Sequence, residues 1–557
     1  MKLWLLLLVG AFVMGAQSQF DALVDRYFED QFRLHPSRAT AFGFHDPYDL
    51  QFEDYSIKGV QEQIATDKKY LAEFGKMPAS DERDLVISNI EADLLELENI
   101  RDWETNPDYY SSHVTESIFG LISRKFAPPE QRLRDVIARE EKIPQILIDA
   151  RQNLKNPPKI YTEVALEQLP GIQRFFSNDV PAAFVAVNDG DLLAQFRQSN
   201  AAAIEALKSY ENWLRMELLP RSNGDYRIGA ENYQKKLMYD EMVDIPLSRL
   251  LEIGYGNLRD NQQQLVSLCK TIDANKTPQQ IAEKLETDHP APDQLLQSFR
   301  ETLGGLIDFI HKHHIITIPS TVRPILEETP PFERALTTAS MDTPGPYEKV
   351  ATEAYFNVTL PEKSWSAKQS EEFMTAFNRG TIVSTAIHEA YPGHYVQLLW
   401  FQKLQSKVRK LIGSGTNIEG WAHYTEQMML DEGYGNADRE LRVGQLLDAL
   451  LRNCRYIVGI EMHTGKMTYE QGIQFFMREG YMSRAYAERE TKRGTSDPTY
   501  LVYTLGKLQI LRLRGDYQKK MGASFSLEQF HDDFMRQGGV PIKLIRKAML
   551  GDNSPTL

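Results

Sequence analysis

The chain has 557 residues, which at about 150 residues per domain is enough for several domains or for one large body of two lobes. Hydrophobic residues make up 42% and charged residues 25% of it, which excludes a mostly disordered, collagen-like or disulfide-stapled protein. With 63 Lys and Arg against 77 Asp and Glu, the formal net charge is −14. A chain this acidic has no overall attraction for nucleic acid or anionic lipid.

Residues 1–18 have the composition of a secretory signal peptide. One cation, Lys2, precedes an apolar run, and small residues stand at the positions that precede a cleavage after Ser18. The run is too short for a permanent membrane span, and no cysteine follows it to carry a lipid; an uncleaved N-terminal anchor is the alternative. No later stretch is apolar for long enough to span a bilayer. We therefore predict an exported protein, periplasmic or extracellular, with no stable membrane span.

Helical periodicity dominates the first 310 residues. Apolar residues recur every three or four positions in the segments 82–103, 132–154, 192–217, 247–272, 277–285 and 292–310. Prolines then accumulate between residues 315 and 365, where residues 354–360 have the aromatic and β-branched composition of a strand. Helical patterns resume near residue 370. The sequence thus predicts a mainly α protein with a helical lobe over residues 19–340, a catalytic helical lobe over residues 341–557, and a small β-sheet near the cleft between them.

The chain contains two cysteines, Cys269 and Cys454. Two thiols are too few for a thiolate zinc cage. We expect both to be buried thiols, although export leaves a disulfide between them as the alternative.

The segment His388-Glu-Ala-Tyr-Pro-Gly-His394 carries the first chemical signal. Zinc hydrolases commonly have two histidines four positions apart on one helix face, with a glutamate beside the first. Here the fourth position after His388 is Pro392, and the next histidine is His394, six positions on. Six residues turn an ideal helix by about 600°, which leaves the second imidazole about 240° away from the first. Because Pro and Gly disturb a helix, we predict a bulge that returns His394 to the side of His388.

A second segment, Glu419-Gly-Trp-Ala, begins 25 residues after His394 and supplies a carboxylate. Two imidazoles and one carboxylate make a three-ligand catalytic zinc site with an open position for water. We therefore predict that His388, His394 and Glu419 bind one Zn²⁺ per chain, while manganese or cobalt would also suit these ligands. Glu389 would be the base that takes a proton from the water. Glu426, on the same helix face as Glu419, is expected to orient a ligand.

Together these two segments resemble the pattern of the large bacterial family called domain of unknown function 885. The resemblance implies a mainly helical, zincin-like metallopeptidase fold. It extends to the predicted strand at residues 354–361, to the segment around His463, and to an element that runs from Arg493 to Tyr503-Thr-Leu-Gly506. These motifs span about 150 residues well, and the rest of the chain more loosely.

Further roles follow from this resemblance. His463 and Tyr503 would donate hydrogen bonds to the oxyanion that forms when water attacks a carbonyl. Arg493 would hold a substrate carboxylate through a bidentate contact. Tyr355 and Asn357 lie on the predicted strand, which could pair with an extended substrate as an edge strand does; a buried structural strand is the alternative.

The pattern as a whole favours a secreted zinc metallopeptidase that hydrolyses short or unfolded peptides, similar in action to a carboxypeptidase or an oligopeptidase. Two alternatives remain open at this point. One is a metal-dependent amidohydrolase that acts on a non-peptide amide, and the other is a non-catalytic exported binding protein that keeps the fold. The presence of Glu389 together with all three ligands favours an enzyme.

Overall fold

The computed structural model of the chain describes residues 2–330, 334, 338–362 and 364–557, with side chains from Ser18 onward. The described residues are mainly helical and include one small sheet, as predicted from the sequence. The predicted signal peptide, residues 1–18, lies outside the residues whose side chains are described, apart from Ser18. Within the described part of the chain, no helix combines the length and the apolar character that crossing a bilayer requires.

The helices of the first 213 residues are α1 (Lys2–Leu34), α2 (Pro36–Ala41), α3 (Ile57–Phe74), α4 (Asp81–Leu95), α5 (Asp102–Thr105), α6 (Pro107–Ile122), α7 (Pro129–Glu140), α8 (Ile143–Asn153), α9 (Lys159–Arg174), α10 (Val180–Ala182) and α11 (Gly190–Trp213). Single π-helical turns follow α4, α9 and α11. Several of these helices begin at an N-cap side chain; Ser56, for example, accepts a hydrogen bond from the backbone N–H of Gly59.

The helices of the later residues are α12 (Gly229–Glu241), α13 (Leu247–Ile272), α14 (Pro278–Glu286), α15 (Leu295–His313), α16 (Ala367–Met374), α17 (Arg379–Glu389), α18 (His394–Phe401), α19 (Lys407–Leu411), α20 (Gly415–Asp431), α21 (Arg439–His463), α22 (Tyr469–Glu479), α23 (Arg484–Ser496), α24 (Val502–Met521), α25 (Leu527–Met535) and α26 (Ile542–Leu550). Capping boxes at Thr277, Ser366 and Thr468 fix the starts of α14, α16 and α22.

The small sheet consists of β1 (Ile325–Glu328), β2 (Ala339–Asp342) and β3 (Tyr355–Val358). The strand predicted at residues 354–360 is therefore present as β3. However, β3 is the central strand: it pairs in parallel with β1 and antiparallel with β2. Because both of its backbone edges are already hydrogen-bonded, β3 cannot pair with a substrate. The prediction of an edge strand at this place is therefore wrong, whereas substrate binding by the side chains of Tyr355 and Asn357 stays a prediction.

The chain divides into two compact units. The first contains residues Met1–Tyr226, Pro344–Thr352 and Ser406–Ile412. The second contains residues Arg227–Thr343, Glu353–Gln405 and Gly413–Leu557. The division thus falls near residue 226 rather than near residue 340, where the composition changes. The reason lies in packing, since α13 lies along α21, and a Cβ on Gly254 of α13 would come within 2.6 Å of the Tyr456 ring.

In the first unit, polar contacts tie the two short segments to the N-terminal helices. Nε2 of His45 lies 2.8 Å from a carboxylate oxygen of Glu348, which belongs to the segment Pro344–Thr352. Lys407, in the segment Ser406–Ile412, forms an ion pair of 2.8 Å with Asp25. These contacts explain why short pieces from the second half of the chain belong to the first unit.

In the second unit, α20 lies against α24, and α17 packs against both α20 and α21. The strand β2 also contacts α17, so the small sheet adjoins this group of helices. Cys269 of α13 and Cys454 of α21 are both buried free thiols, as expected from the sequence. The helices α17, α18 and α20 carry the predicted metal ligands.

Candidate metal centre

The helix that carries His388 ends directly after it. The α-helix α17 stops at Glu389, residues 390–393 form a short connection, and α18 begins at His394. The sequence predicted a bulge within one helix; the structure instead has two helices with a break at Pro392 and Gly393. Gly393 is required there, because a Cβ on it would lie 1.8 Å from the carbonyl oxygen of His388.

The break brings the two imidazoles together. Their rings lie 4.8 Å apart at an angle of 89°. Nε2 of His388 is 3.4 Å from Oε2 of Glu419, and Nε2 of His394 is 3.5 Å from the same oxygen. Together these three residues form a group whose ligand atoms all lie within 4.8 Å of one another.

The spacing of these atoms fits a zinc ion. With bonds of about 2.1 Å, neighbouring ligand atoms of a tetrahedral zinc ion are about 3.4 Å apart. The nitrogen–oxygen distances of 3.4 and 3.5 Å match that value. Oε2 of Glu419 is buried and makes no hydrogen bond within the described structure, so a cation would satisfy an atom that otherwise lacks a partner.

Hydrogen bonds hold the start of α20, on which Glu419 lies. Glu241 accepts hydrogen bonds from the backbone N–H groups of Gly415 and Thr416, at 2.9 and 2.8 Å. A carboxylate at this place also interacts favourably with the helix dipole. Nε2 of Gln397, on α18, donates to Oδ1 of Asn417, on α20, over 2.9 Å. Both side chains are fully buried, so this contact fixes the two ligand-bearing helices against each other.

The residues that follow Glu419 each have a separate structural task. Gly420 lets α20 approach α24, because a Cβ on it would lie 2.5 Å from Cα of Gly506. Trp421 donates a hydrogen bond from Nε1 to the carbonyl oxygen of Pro392 over 2.8 Å. That bond attaches the break between α17 and α18 to the helix that carries Glu419. The motif Glu419-Gly-Trp-Ala therefore combines one candidate ligand, a glycine that allows close packing on α24, and a tryptophan that holds the break between the two histidines.

Glu426 orients His388, as predicted. Its Oε1 lies 2.7 Å from Nδ1 of His388, and its Oε2 lies 3.0 Å from Nδ1 of His423. With the proton on Nδ1, Nε2 of His388 is free to bind a metal. Burial opposes ionisation of Glu426, but Arg452 and the neighbouring imidazoles outweigh it and hold the pKa of this carboxyl well below its usual value. Burial lowers the pKa of His423 to about 3, so this imidazole is neutral.

The site attracts positive charge. Burial disfavours the imidazolium form of His388, but the carboxylates of Glu419, Glu426 and Glu389 outweigh burial and raise its pKa to about 10. Glu389 itself is half-buried, and among the described residues no hydrogen bond or ion pair holds its carboxylate. Its position directly after His388 places a carboxylate at the edge of the candidate metal centre.

Tyr503 and Arg493 lie beside this centre. The ring of Tyr503 is stacked on that of His388 with a centroid distance of 6.4 Å. Burial and the charge of Glu419 raise the pKa of Tyr503, against the opposing charges of Arg455 and Arg493. Nη2 of Arg493 donates to the Tyr503 hydroxyl over 3.4 Å, and the Arg493 side chain is 42% exposed. The predicted roles of Tyr503 as an oxyanion donor and of Arg493 in holding a substrate carboxylate stay predictions.

The hydrogen bonds of His463 are with backbone groups rather than with the candidate metal centre. Its Nδ1 accepts a hydrogen bond from the backbone N–H of Ile228 at 3.4 Å, and its Nε2 donates to the carbonyl oxygen of Gly494 over 2.8 Å. The side chain is 1% exposed. Since backbone groups occupy both ring nitrogens, His463 has a structural role, and the prediction that it donates to an oxyanion is not supported by its contacts. Tyr355 and Asn357 lie on β3, the central strand of the small sheet.

Comparison with known proteins agrees with the motif pattern. A family of bacterial proteins of unknown function, domain of unknown function 885, matches residues 36–549. The chain belongs to this family. The matched range includes both ligand-bearing motifs and the element from Arg493 to Gly506. No curated protein matches the chain.

Two solved structures have the same fold. One is a protein of Shewanella oneidensis described as a candidate lipoprotein of unknown function; it is 28% identical, with a TM-score of 0.80 over 95% of this chain and 99% of that chain. The other, a candidate lipoprotein of Colwellia psychrerythraea, is 16% identical, with a TM-score of 0.80 over 96% of this chain and 99% of that chain. At this lower identity, the second similarity shows the fold alone.

Sequence reasoning missed two buried cations near Glu426. Arg452 lies on α21 and forms an ion pair of 3.1 Å with Oε1 of Glu426. Lys507 lies on α24, where burial lowers its pKa to about 8 despite the charge of Glu426. The segment around Arg452 contains no motif, so nothing in the sequence indicates its contact. Lys507 directly follows Gly506 of the family's C-terminal element, which was a signal that sequence reasoning did not use.

Proposed function

We propose that this member of the family is an exported zinc-dependent peptidase that hydrolyses short or unfolded peptides. One observation carries the proposal: Nε2 of His388 and Nε2 of His394 approach the same buried oxygen of Glu419 at 3.4 and 3.5 Å, and that oxygen has no hydrogen bond within the described residues. One zinc ion bound between these two nitrogens and this oxygen would be coordinated by all three atoms.

Glu389 is the proposed base. Its carboxylate follows a ligand directly and is not held by another side chain among the described residues. A carboxylate placed in this way can take a proton from the attacking water and deliver it to the leaving amine. A bound zinc ion would supply Lewis acidity, because it polarises a substrate carbonyl and lowers the pKa of water to about 7.

Tyr503 and Arg493 are the proposed substrate-binding pair. The raised pKa of Tyr503 keeps its hydroxyl protonated at neutral pH, so it can donate to an oxyanion next to His388. Arg493 is bonded to a single carboxylate oxygen of Asp497, at 3.1 and 3.0 Å, and is partly exposed. A guanidinium in this state can take a substrate carboxylate in a bidentate contact. This arrangement favours peptides with a free C-terminus and hence action like that of a carboxypeptidase.

Export is the second part of the proposal. Both structural neighbours are described as candidate lipoproteins, which supports an exported location for this chain. Residues 1–18 have the composition of a signal peptide, and no cysteine follows them. We therefore propose that the protein is exported to the periplasm or out of the cell.

The proposal is tested with purified protein. Zinc content per chain is measured before and after chelation, and a mixed peptide library is incubated with the zinc-loaded protein and analysed by mass spectrometry. We expect one zinc ion per chain and products shortened from the C-terminus. The variant Glu389→Gln should keep the zinc and lose turnover by a factor of about 100 or more, because the base is absent. Glu372→Gln, at an exposed ion pair on α16, is the matched control and should behave as the wild type.

Each contrary result has a definite meaning. Full peptide turnover by Glu389→Gln would show that the base is another group. Stoichiometric zinc without cleavage of any peptide, but with release of ammonia or amine from small amides, would identify an amidohydrolase. Stoichiometric zinc with no hydrolysis of either class would favour a binding protein, and no zinc at all would refute the metal centre.

A further inference from the structure

Arg452 contacts two neighbours of His388, the carboxylate of Glu426 and the ring of Tyr503. It lies on α21, and its side chain is 12% exposed. Its Nη2 is 3.1 Å from Oε1 of Glu426, the same oxygen that lies 2.7 Å from Nδ1 of His388. Nη1 of Arg452 also donates to the carbonyl oxygen of Asp448 over 3.1 Å, which holds the side chain to its own helix.

The second contact of Arg452 is with Tyr503. The guanidinium carbon lies 5.8 Å from the centre of the Tyr503 ring, within the range of a cation–π contact. The imidazole of His388 is also a neighbour of that ring, at 6.4 Å. Thus Arg452 contacts the carboxylate that orients His388 and also the aromatic ring that is stacked on His388.

Charge explains why an arginine is needed at this place. Glu426 is fully buried, so its charge requires a close counterion beside the two imidazoles that it contacts. Arg452 supplies that counterion with a fixed, planar geometry, which a lysine cannot reproduce. Without it, the hydrogen bond that fixes the His388 ring would loosen, and the ring of Tyr503 would keep its cation–π contact with Arg455 at 5.2 Å but lose the one with Arg452.

We propose that Arg452 is a positioning residue that holds both the metal ligand His388 and the substrate-binding residue Tyr503. The inference rests on the proposed function, since it assigns a role toward the same zinc site. It goes beyond that function because Arg452 touches neither the ligand atoms nor a substrate, and acts only through Glu426 and Tyr503. Contacts that orient ligands in this way typically change metal affinity by factors of about 10 to 100.

The test compares Arg452→Met, Arg452→Lys and Arg546→Met. Arg546 is a matched control, because it forms a buried ion pair of 2.8 Å with Asp516 in the same unit without contacting the site. Zinc affinity is measured by competition with a chromophoric chelator, the ligand geometry by the visible spectrum of the cobalt-substituted protein, and turnover by kcat and KM on a peptide that the wild type cleaves.

We expect Arg452→Met to weaken zinc binding by a factor of about 10 or more and to alter the cobalt spectrum. Arg452→Lys should recover most of the zinc affinity, because an ammonium can still pair with Glu426. Its kcat should stay several-fold low at unchanged KM, because the planar contact with Tyr503 is lost. Arg546→Met should keep the wild-type zinc affinity and spectrum, even if it unfolds at a lower temperature.

Two results separate the inference from the function on which it rests. If the wild type binds zinc and both Arg452 variants bind it as tightly as Arg546→Met does, the inference is wrong and the proposed function stands. The inference is also wrong, and the proposed function still stands, if Arg452→Lys binds zinc no better than Arg452→Met. If the wild type binds no zinc, the proposed function and the inference fall together.

Discussion

Replacing Gly393 by alanine should disable the candidate metal centre through the backbone alone. In the native break, a Cβ on this residue would lie 1.8 Å from the carbonyl oxygen of His388 and 2.3 Å from that of Ile387. Cβ atoms essentially never approach within 3.0 Å of another heavy atom, so the backbone must move by at least 1.2 Å, the difference between 3.0 and 1.8 Å. A zinc site tolerates deviations of about 0.2 Å in its ligand distances.

We therefore expect Gly393→Ala to weaken zinc binding by a factor of at least about 100, and to lower the free energy of unfolding by about 1–3 kcal/mol, as overpacking does. Zinc affinity is measured by chelator competition, and stability by thermal unfolding in excess chelator. Gly256→Ala is the control, since no atom lies within 4 Å of the added Cβ on this exposed residue of α13. Wild-type zinc affinity in Gly393→Ala would refute the reasoning that the break aligns the two imidazoles.

Two further predictions concern a buried acid and a buried indole. Burial raises the pKa of Glu140, which accepts hydrogen bonds from Ser199 and Asn200, from 4.5 to about 7. Because the folded-state pKa is raised, the protonated carboxyl stabilises the fold fully below pH 4.5, and this contribution is lost as the pH rises through 7. Relative to Glu140→Gln, the free energy of unfolding of the wild type should therefore rise by about 2–3 kcal/mol from pH 8 to pH 5, as measured by denaturant unfolding. Trp421→Phe leaves the carbonyl of Pro392 unpaired, so it should cost about 1–3 kcal/mol and weaken zinc binding several-fold. Unchanged zinc affinity in this variant would show that the bond does not position the break.

Periodicity predicted where most helices lie, but not every interruption: the segment predicted at residues 82–103 is broken at Arg101, whose φ is 63°. The segment predicted at residues 247–272 is present from end to end as α13. The helical pattern at residues 132–154 does not form one continuous helix, because it divides into α7 and α8. Pro144 stands in the first turn of α8, and a proline disfavours helical geometry in the residue before it. Pro144 therefore indicates the break between α7 and α8, although the pattern of apolar residues does not.

The grouping of His388 with His394 could be predicted from the sequence for a local reason. Histidine and glutamate at short spacings beside a Pro-Gly pair constrain each other within a few residues of chain, so the chemistry follows from nearby residues. His463 differs because its role depends on the carbonyl of Gly494, which lies 31 positions later in the chain. Arg452 differs in the same way, since its partner Glu426 lies on another helix. Roles set by such distant contacts leave no local signal.

The helix α20 shows how one element can carry several parts of the candidate site. Glu419 and Glu426 are seven residues apart, two turns of the same helix, so they share a face. One carboxylate faces the imidazoles of His388 and His394 at their Nε2 atoms, and the other holds Nδ1 of His388 from behind. Since a helix fixes the distance between its own residues, the ligand and the group that orients a second ligand move as one body. Glu241, which caps the start of this helix through the backbone of Gly415 and Thr416 and the hydroxyl of Thr416, therefore helps to position both carboxylates.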